Sequence, residues 1–239
     1  MSRIEGVFTA VSKNTLRSRV GLFFSALFPL MLLLVFGTVF GQSFAASYVP
    51  LLIGAFVMTN GLIALPTVAT EFKRRGVMKR LSATPLTKLE WIVGNVLNQT
   101  LLAVVLTVVM ILAGWLVFGV APVVNVYSAV ILFAGAVLFS GMGMLIAGFL
   151  KDPEAASGLG NAISFPMMFL SGTYVPLSIM PSYLQSVAHV LPLFYFQDGL
   201  KAAMVTGNVS TALFDLGVIG VLAVGFILLG SFVTKWREN

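Results

Sequence analysis

Six of the fourteen Lys and Arg residues of this chain fall in one short stretch between two long apolar runs: Lys73, Arg74, Arg75, Lys79, Arg80 and Lys88. Glu71 stands four residues before Arg75, an ion-pair spacing on a helix. Such a patch offers charge and backbone to whatever presses on it; it holds no nucleophile, base or metal set. The polar side chains within the apolar runs are neutral: Asn60, Asn95, Asn98, Gln99 and Asn161. Asn95, Asn98 and Gln99 share one helical face. That face serves either hydrogen bonds between helices or contact with a substrate.

The missing chemistry excludes much. There is no G-x-x-x-x-G-K-[ST] run to cradle a nucleotide, no H-E-x-x-H and no G-x-S-x-G elbow. Cysteine is absent and His189 is the single histidine, so neither thiol chemistry nor a Cys/His metal site is expected. No Asp, Glu, Lys, Arg or His falls inside the apolar runs, with Asp215 placed at the outer edge of the last. Ion-coupled carriers need an ionisable group at depth, so an energy source outside this chain is expected.

The elements that position these residues are membrane helices. Hydrophobic residues make up 59% of the chain and charged ones 9%, with a mean hydropathy of +1.03. About 20 apolar residues cross a hydrocarbon core of about 30 Å, and the continuous apolar runs argue against a β-barrel. Six spans are expected, near 20–41, 48–70, 91–118, 126–150, 155–175 and 214–234. Thirteen of the fourteen basic residues fall on one side of them, against Lys201 on the other. The positive-inside rule then places both termini and the patch in the cytoplasm of a plasma or inner membrane. The formal net charge of +6 reflects topology and attraction to anionic lipid, not nucleic acid. The run from Val20 exceeds the roughly 7–15-residue core of a signal peptide.

Local patterns refine this. Ile4, Val7, Phe8 and Val11 share a helical face, predicting an interfacial helix over residues 1–19 that either anchors the chain or docks. The second span is expected to run on past Glu71, with a bend at Gly76 and a break at Thr84-Pro85. Thr87 and Glu90 fit a capping box, with Leu86 and Trp91 as its hydrophobic staple. Gly143/Ala147 and Gly158/Ala162 are spaced for close helix packing. Residues 172–213 carry Gly172, Pro176, Pro181, Pro192 and Tyr195 among further aromatics. They form either short re-entrant helices on the outer side or an aromatic interface belt. Asn208-Val-Ser210 matches a glycosylation sequon.

Three ordered motifs resemble the membrane subunits of type-2 ABC transporters. They are Glu71…Gly76-Val-Met-Lys-Arg-Leu81-Ser-Ala-Thr84-Pro85-Leu86, then Leu170-Ser-Gly172-Thr-Tyr-Val-Pro176…Met180-Pro181, then Leu191-Pro192-Leu-Phe-Tyr195…Asp198-Gly-Leu-Lys201. The resemblance covers essentially the whole chain, 1–239, as one all-α permease domain. It implies a homodimer or heterodimer of six-span subunits driven by two separate ATPase subunits, which would hold the ATP and Mg. It implies that the segment from Glu71 to Leu86, within a cytoplasmic stretch over 71–90, docks on the ATPase as a coupling helix. It also implies outer re-entrant helices between the last two spans. No cofactor or catalytic site is expected in this chain, and lipids are its other partners. The apolar spans fit the drug-and-lipid branch better than polysaccharide export. A reading from another class is a membrane scaffold or assembly factor, whose basic loops would merely orient it.

Overall fold

The computed structural model describes residues 3–17, 19–77, 87–120 and 122–233. Met78–Leu86 of the expected coupling segment therefore lie outside the described residues. Ten α-helices follow one another within these ranges: α1 (Arg3–Arg17), α2 (Arg19–Phe40), α3 (Gln42–Thr59), α4 (Leu65–Arg74), α5 (Lys88–Phe118), α6 (Val126–Phe149), α7 (Pro153–Leu170), α8 (Ser182–Ala188), α9 (Pro192–Lys201) and α10 (Val209–Val233). No strand occurs among the described residues.

Among the described residues four helices are long and apolar enough to cross a membrane: Gln42–Arg74, Glu90–Phe118, Val126–Phe149 and Val209–Gly230. They correspond to the second, third, fourth and sixth expected spans. The expected first and fifth spans are helices α2 and α7, of 22 and 18 residues. The second of these is diluted by Glu154, Asn161 and small residues.

The second expected span starts earlier and ends later than its hydropathy suggests. α3 and α4 are joined through a π-helical turn, Asn60–Ala64, into one rod of 33 residues, about 50 Å at 1.5 Å per residue. Pro66 explains the wide turn. It has no amide proton, and its ring crowds the carbonyl four residues back, so the backbone loosens there. At the other end Gly41, with φ of +86°, turns α2 directly into α3. A residue with a β-carbon is strained in that conformation.

The rod is clasped at its π turn. A β-carbon on Gly143 of α6 would strike the Gly61 carbonyl, and one on Gly160 of α7 would strike the Leu62 carbonyl. α6 also packs along α10, where Gly141 faces Ile227. Gly143 and buried Ala147 thus do lie at helix contacts. The Gly158/Ala162 pair does not: Gly158 has nothing within 4 Å of a built β-carbon, and Ala162 is exposed. Spacing alone could not separate a packed face from an open one.

α1 forms over the predicted amphipathic stretch, ending at Arg17, with Arg19 opening α2. Its apolar side is covered by protein: Val7 and Val11 are buried against Trp91, Ile92 and Val96 of α5. Gly94 makes the room, since a β-carbon there would sit 2.5 Å from Val7. The segment expected outside the membrane, 172–213, is shorter than that range. Val209–Leu213 already belong to α10, because the Asn208 side chain accepts from the Thr211 amide and caps the helix. That capping role also accounts for the Asn in the sequon.

Candidate functional site

Two regions collect the polar groups, one at each end of the rod. At the basic end Glu71 accepts from Arg74 at 2.8 Å and from Arg75, pairs at spacings of three and four. Arg74 and Arg75 remain largely exposed while Glu71 is mostly covered, so two guanidinium groups face outward from a neutralised carboxylate. Gly76 closes the helix at φ +69°, donating its amide to Lys73 O at 3.0 Å. This is the left-handed C-terminal stop that glycine favours. Lys73 points elsewhere, donating from Nζ to the Ala147 carbonyl in the last turn of α6. That contact joins two elements 74 residues apart, and local spacing gives no sign of it.

Beyond the undescribed residues, α5 opens as its capping residues dictate. Thr87 Oγ1 accepts from the Glu90 amide at 3.2 Å, and Glu90 Oε2 accepts from the Thr87 amide at 2.7 Å. Trp91 meets the ring of Phe72 at 5.8 Å, which couples the start of α5 to α4. Its expected staple partner Leu86, like Lys79, Arg80, Leu81, Thr84 and Pro85, lies outside the described residues.

The five neutral polar residues do not converge. Asn60 donates to Phe56 O, Asn95 to Trp91 O and Asn161 to Ser157 O, each one turn back on its own helix. Asn98 accepts from Ser12 Oγ at 3.0 Å, tying α1 to α5. Asn95, Asn98 and Gln99 are all buried, and the face they share is in part an α1 contact. Asn161 differs from the others. It lines a cavity of about 320 Å³ between α2, the rod and α7, walled chiefly by Phe28, Leu52, Phe56, Phe165 and Met168.

The second region is the far end. Here α9, entered at Pro192, is largely buried. Phe196 packs edge-on against Phe139 at 5.6 Å, in space that a side chain at Gly135 would fill. Gln197 donates from Nε2 to Leu51 O of the rod at 2.8 Å and to Thr173 Oγ1 at 2.7 Å. Gly199 lies against Asp215 of α10. α9 is thus inserted among long apolar helices and not laid over them. α8, by contrast, exposes Tyr183, and Tyr195 donates to His189 O at 2.7 Å. Of these short helices α9 is packed among the long ones and α8 lies more at the surface. Asp215 lies in the second turn of α10 and is 2% exposed, so it is covered by protein.

A cavity of about 550 Å³ opens between α9, the turns of α2 and α3 around Gly41, and the loop after α7. Gly172 and Pro176 line it, as do Tyr48, Ser171, Thr173, Gln197, Asp198 and Lys201. Sequence reading passed over Tyr48, Ser171 and Gln197. The one signal was the placing of Gln197 and Asp198 within an aromatic, proline-broken run.

Long apolar helices, a charged end and cavities between the helices define an integral membrane protein built around internal spaces. Residues 6–205 match the family described as ABC-2 type transporter, and the chain belongs to it. It is 23% identical over 237 residues to the putative transport permease YvfS of Bacillus subtilis, covering 96% of both chains. It is 29% identical over 172 residues to the linearmycin resistance permease protein LnrN of the same organism. That match spans 70% of this chain and 43% of LnrN. It is 23% identical over 222 residues to the daunorubicin resistance ABC transporter permease protein DrrB1 of Streptomyces coeruleorubidus, covering 87% of this chain and 76% of that one. The chain is a membrane transport subunit of the ABC-2 type.

Proposed function

We propose that the chain is the transmembrane subunit of an ATP-driven exporter, moving an apolar or amphipathic substrate outward with energy from a separate ATPase subunit. Its topology is six spans with both termini and the basic end in the cytoplasm. The observation that carries this reading is the rod Gln42–Arg74. One end holds the Glu71–Gly76 basic stop; the other walls both cavities through Tyr48, Leu51 and Leu52. A push on the basic end is carried by one helix to the substrate-sized spaces, and the π turn at Asn60–Ala64 is where that helix is clasped by α6 and α7.

The names of LnrN and DrrB1 point to drug resistance, and the aromatic and aliphatic cavity walls suit such compounds better than sugar chains. In this reading Glu71 and residues 74–86 meet the ATPase while Lys73 ties α4 to α6, Asn161 touches substrate, and Asn60, Asn95, Asn98 and Gln99 hold helices together. Dimerisation with a second permease copy completes the pathway.

The test is extraction of the tagged chain from its native membrane in mild detergent. An ATPase subunit is expected to stay bound, and hydrolysis is expected of that complex and not of the stripped chain. Hydrolysis by the stripped chain, or a chain that retains no ATPase, contradicts the proposal.

A further inference from the structure

The far-end cavity holds more unsatisfied polarity than a lipid-facing dent would. Gln197 is 1% exposed, and while its Nε2 makes two hydrogen bonds, its Oε1 makes none. The buried Tyr48 hydroxyl and Ser171 hydroxyl also lack partners. These three side chains come from three separate elements around the same cavity, with the unpartnered atoms themselves enclosed. A buried polar atom without a partner is costly, and three in one wall mark a place where something polar binds.

The chemistry of the wall selects that group. Gln197 Oε1 only accepts hydrogen bonds. Asp198 adds a carboxylate, and among the described residues it forms no ion pair with Lys201, one turn further along. A second carboxylate, Asp215, packs directly behind at Gly199. The same cavity is lined by aromatic rings in mutual contact, Phe36 with Tyr48 at 5.5 Å and Phe44 with Tyr48 at 5.0 Å. Acceptors, a carboxylate and ring faces all attract a cation. The neighbouring cavity shares Thr173 and Tyr174 as its wall and is otherwise mostly apolar, with Thr59, Asn161 and Ser164 as its other polar residues.

We infer that the two cavities form one site for a cationic amphiphile, its ammonium head at Gln197 and Asp198 and its tail beside Met168. Calling such a molecule cargo rests on the transport reading; the binding itself does not.

The test uses the full chain in lipid nanodiscs, titrated with dodecyltrimethylammonium, dodecanol and dodecyl sulfate. The ammonium probe is expected to bind at least ~10-fold tighter than either other probe. Asp198→Asn should remove that preference and leave dodecanol binding alone. Lys201→Gln should tighten the ammonium probe severalfold, a gain that misfolding cannot mimic. Equal binding of ammonium and alcohol, or a Lys201→Gln variant that binds the ammonium probe no better, overturns the inference. ATPase association is read on the same preparations. A bound ATPase with no ammonium preference sinks this inference and spares the proposed function, and the reverse pattern does the opposite.

Discussion

Lys73 of α4 donates its ammonium to the backbone carbonyl of Ala147, near the C-terminus of α6. A cation there satisfies a carbonyl in the helix's final turn and faces the negative end of its dipole. The neighbouring Arg74 is instead more than half exposed and paired only on the surface. Adjacent basic residues therefore do different work.

Lys73→Met is expected to lower stability by about 1.5–3 kcal/mol, the range for a hydrogen bond to a charged group. Arg74→Gln is expected to cost about 0–1 kcal/mol, as exposed ion pairs do. Thermal unfolding of both variants in the same nanodiscs checks the order. A larger loss for Arg74→Gln would mean that the Ala147 contact contributes little.

Glycine contacts around the π turn give a sharper contrast. Gly143→Ala and Gly160→Ala each push a methyl into a backbone carbonyl that cannot rotate away. Overpacking of this kind costs about 1–3 kcal/mol or more. Gly158→Ala meets open space and is expected to be neutral in folding of the single chain. Yield of monodisperse protein and midpoint of unfolding measure this. Equal behaviour of the three variants would place the π turn elsewhere.

Orientation is directly testable because the chain has no cysteine. Ser82→Cys is expected to react with an impermeant thiol reagent in inside-out vesicles, and the exposed Ser210→Cys in intact cells. Labelling of Ser82→Cys from outside would reverse the topology.

Which parts of this were legible beforehand follows from the range of the forces involved. The Thr87–Glu90 box and the Glu71–Arg75 pair are local, set by residues three to four apart, and the structure has both; at Gly76, where a bend was expected, the helix ends instead. Helix ends set by capping were missed where the cap was not recognised, as at Asn208. Contacts across the bundle were invisible: Lys73 with Ala147, Gln197 with Leu51, Gly160 with Leu62. The far-end cavity depends on α9 threading between α3, α6 and α10, and no run of neighbours encodes that. Burial of Asp215 has the same cause, since the helix that covers it comes from another part of the chain.

The proposed transmission of force through the basic end is tested most directly by efflux from proteoliposomes containing this chain and the ATPase subunit that co-purifies with it. Gly76→Pro removes the amide bonded to Lys73 O and cannot adopt the positive φ of that position. Pro85→Ala loosens the expected break before α5, and Lys79→Gln removes one charge. With association and expression matched, Gly76→Pro and Pro85→Ala are expected to abolish or greatly weaken ATP-dependent efflux, while Lys79→Gln keeps most of it. Wild-type efflux from both backbone variants would contradict the account and leave the basic end a topological anchor.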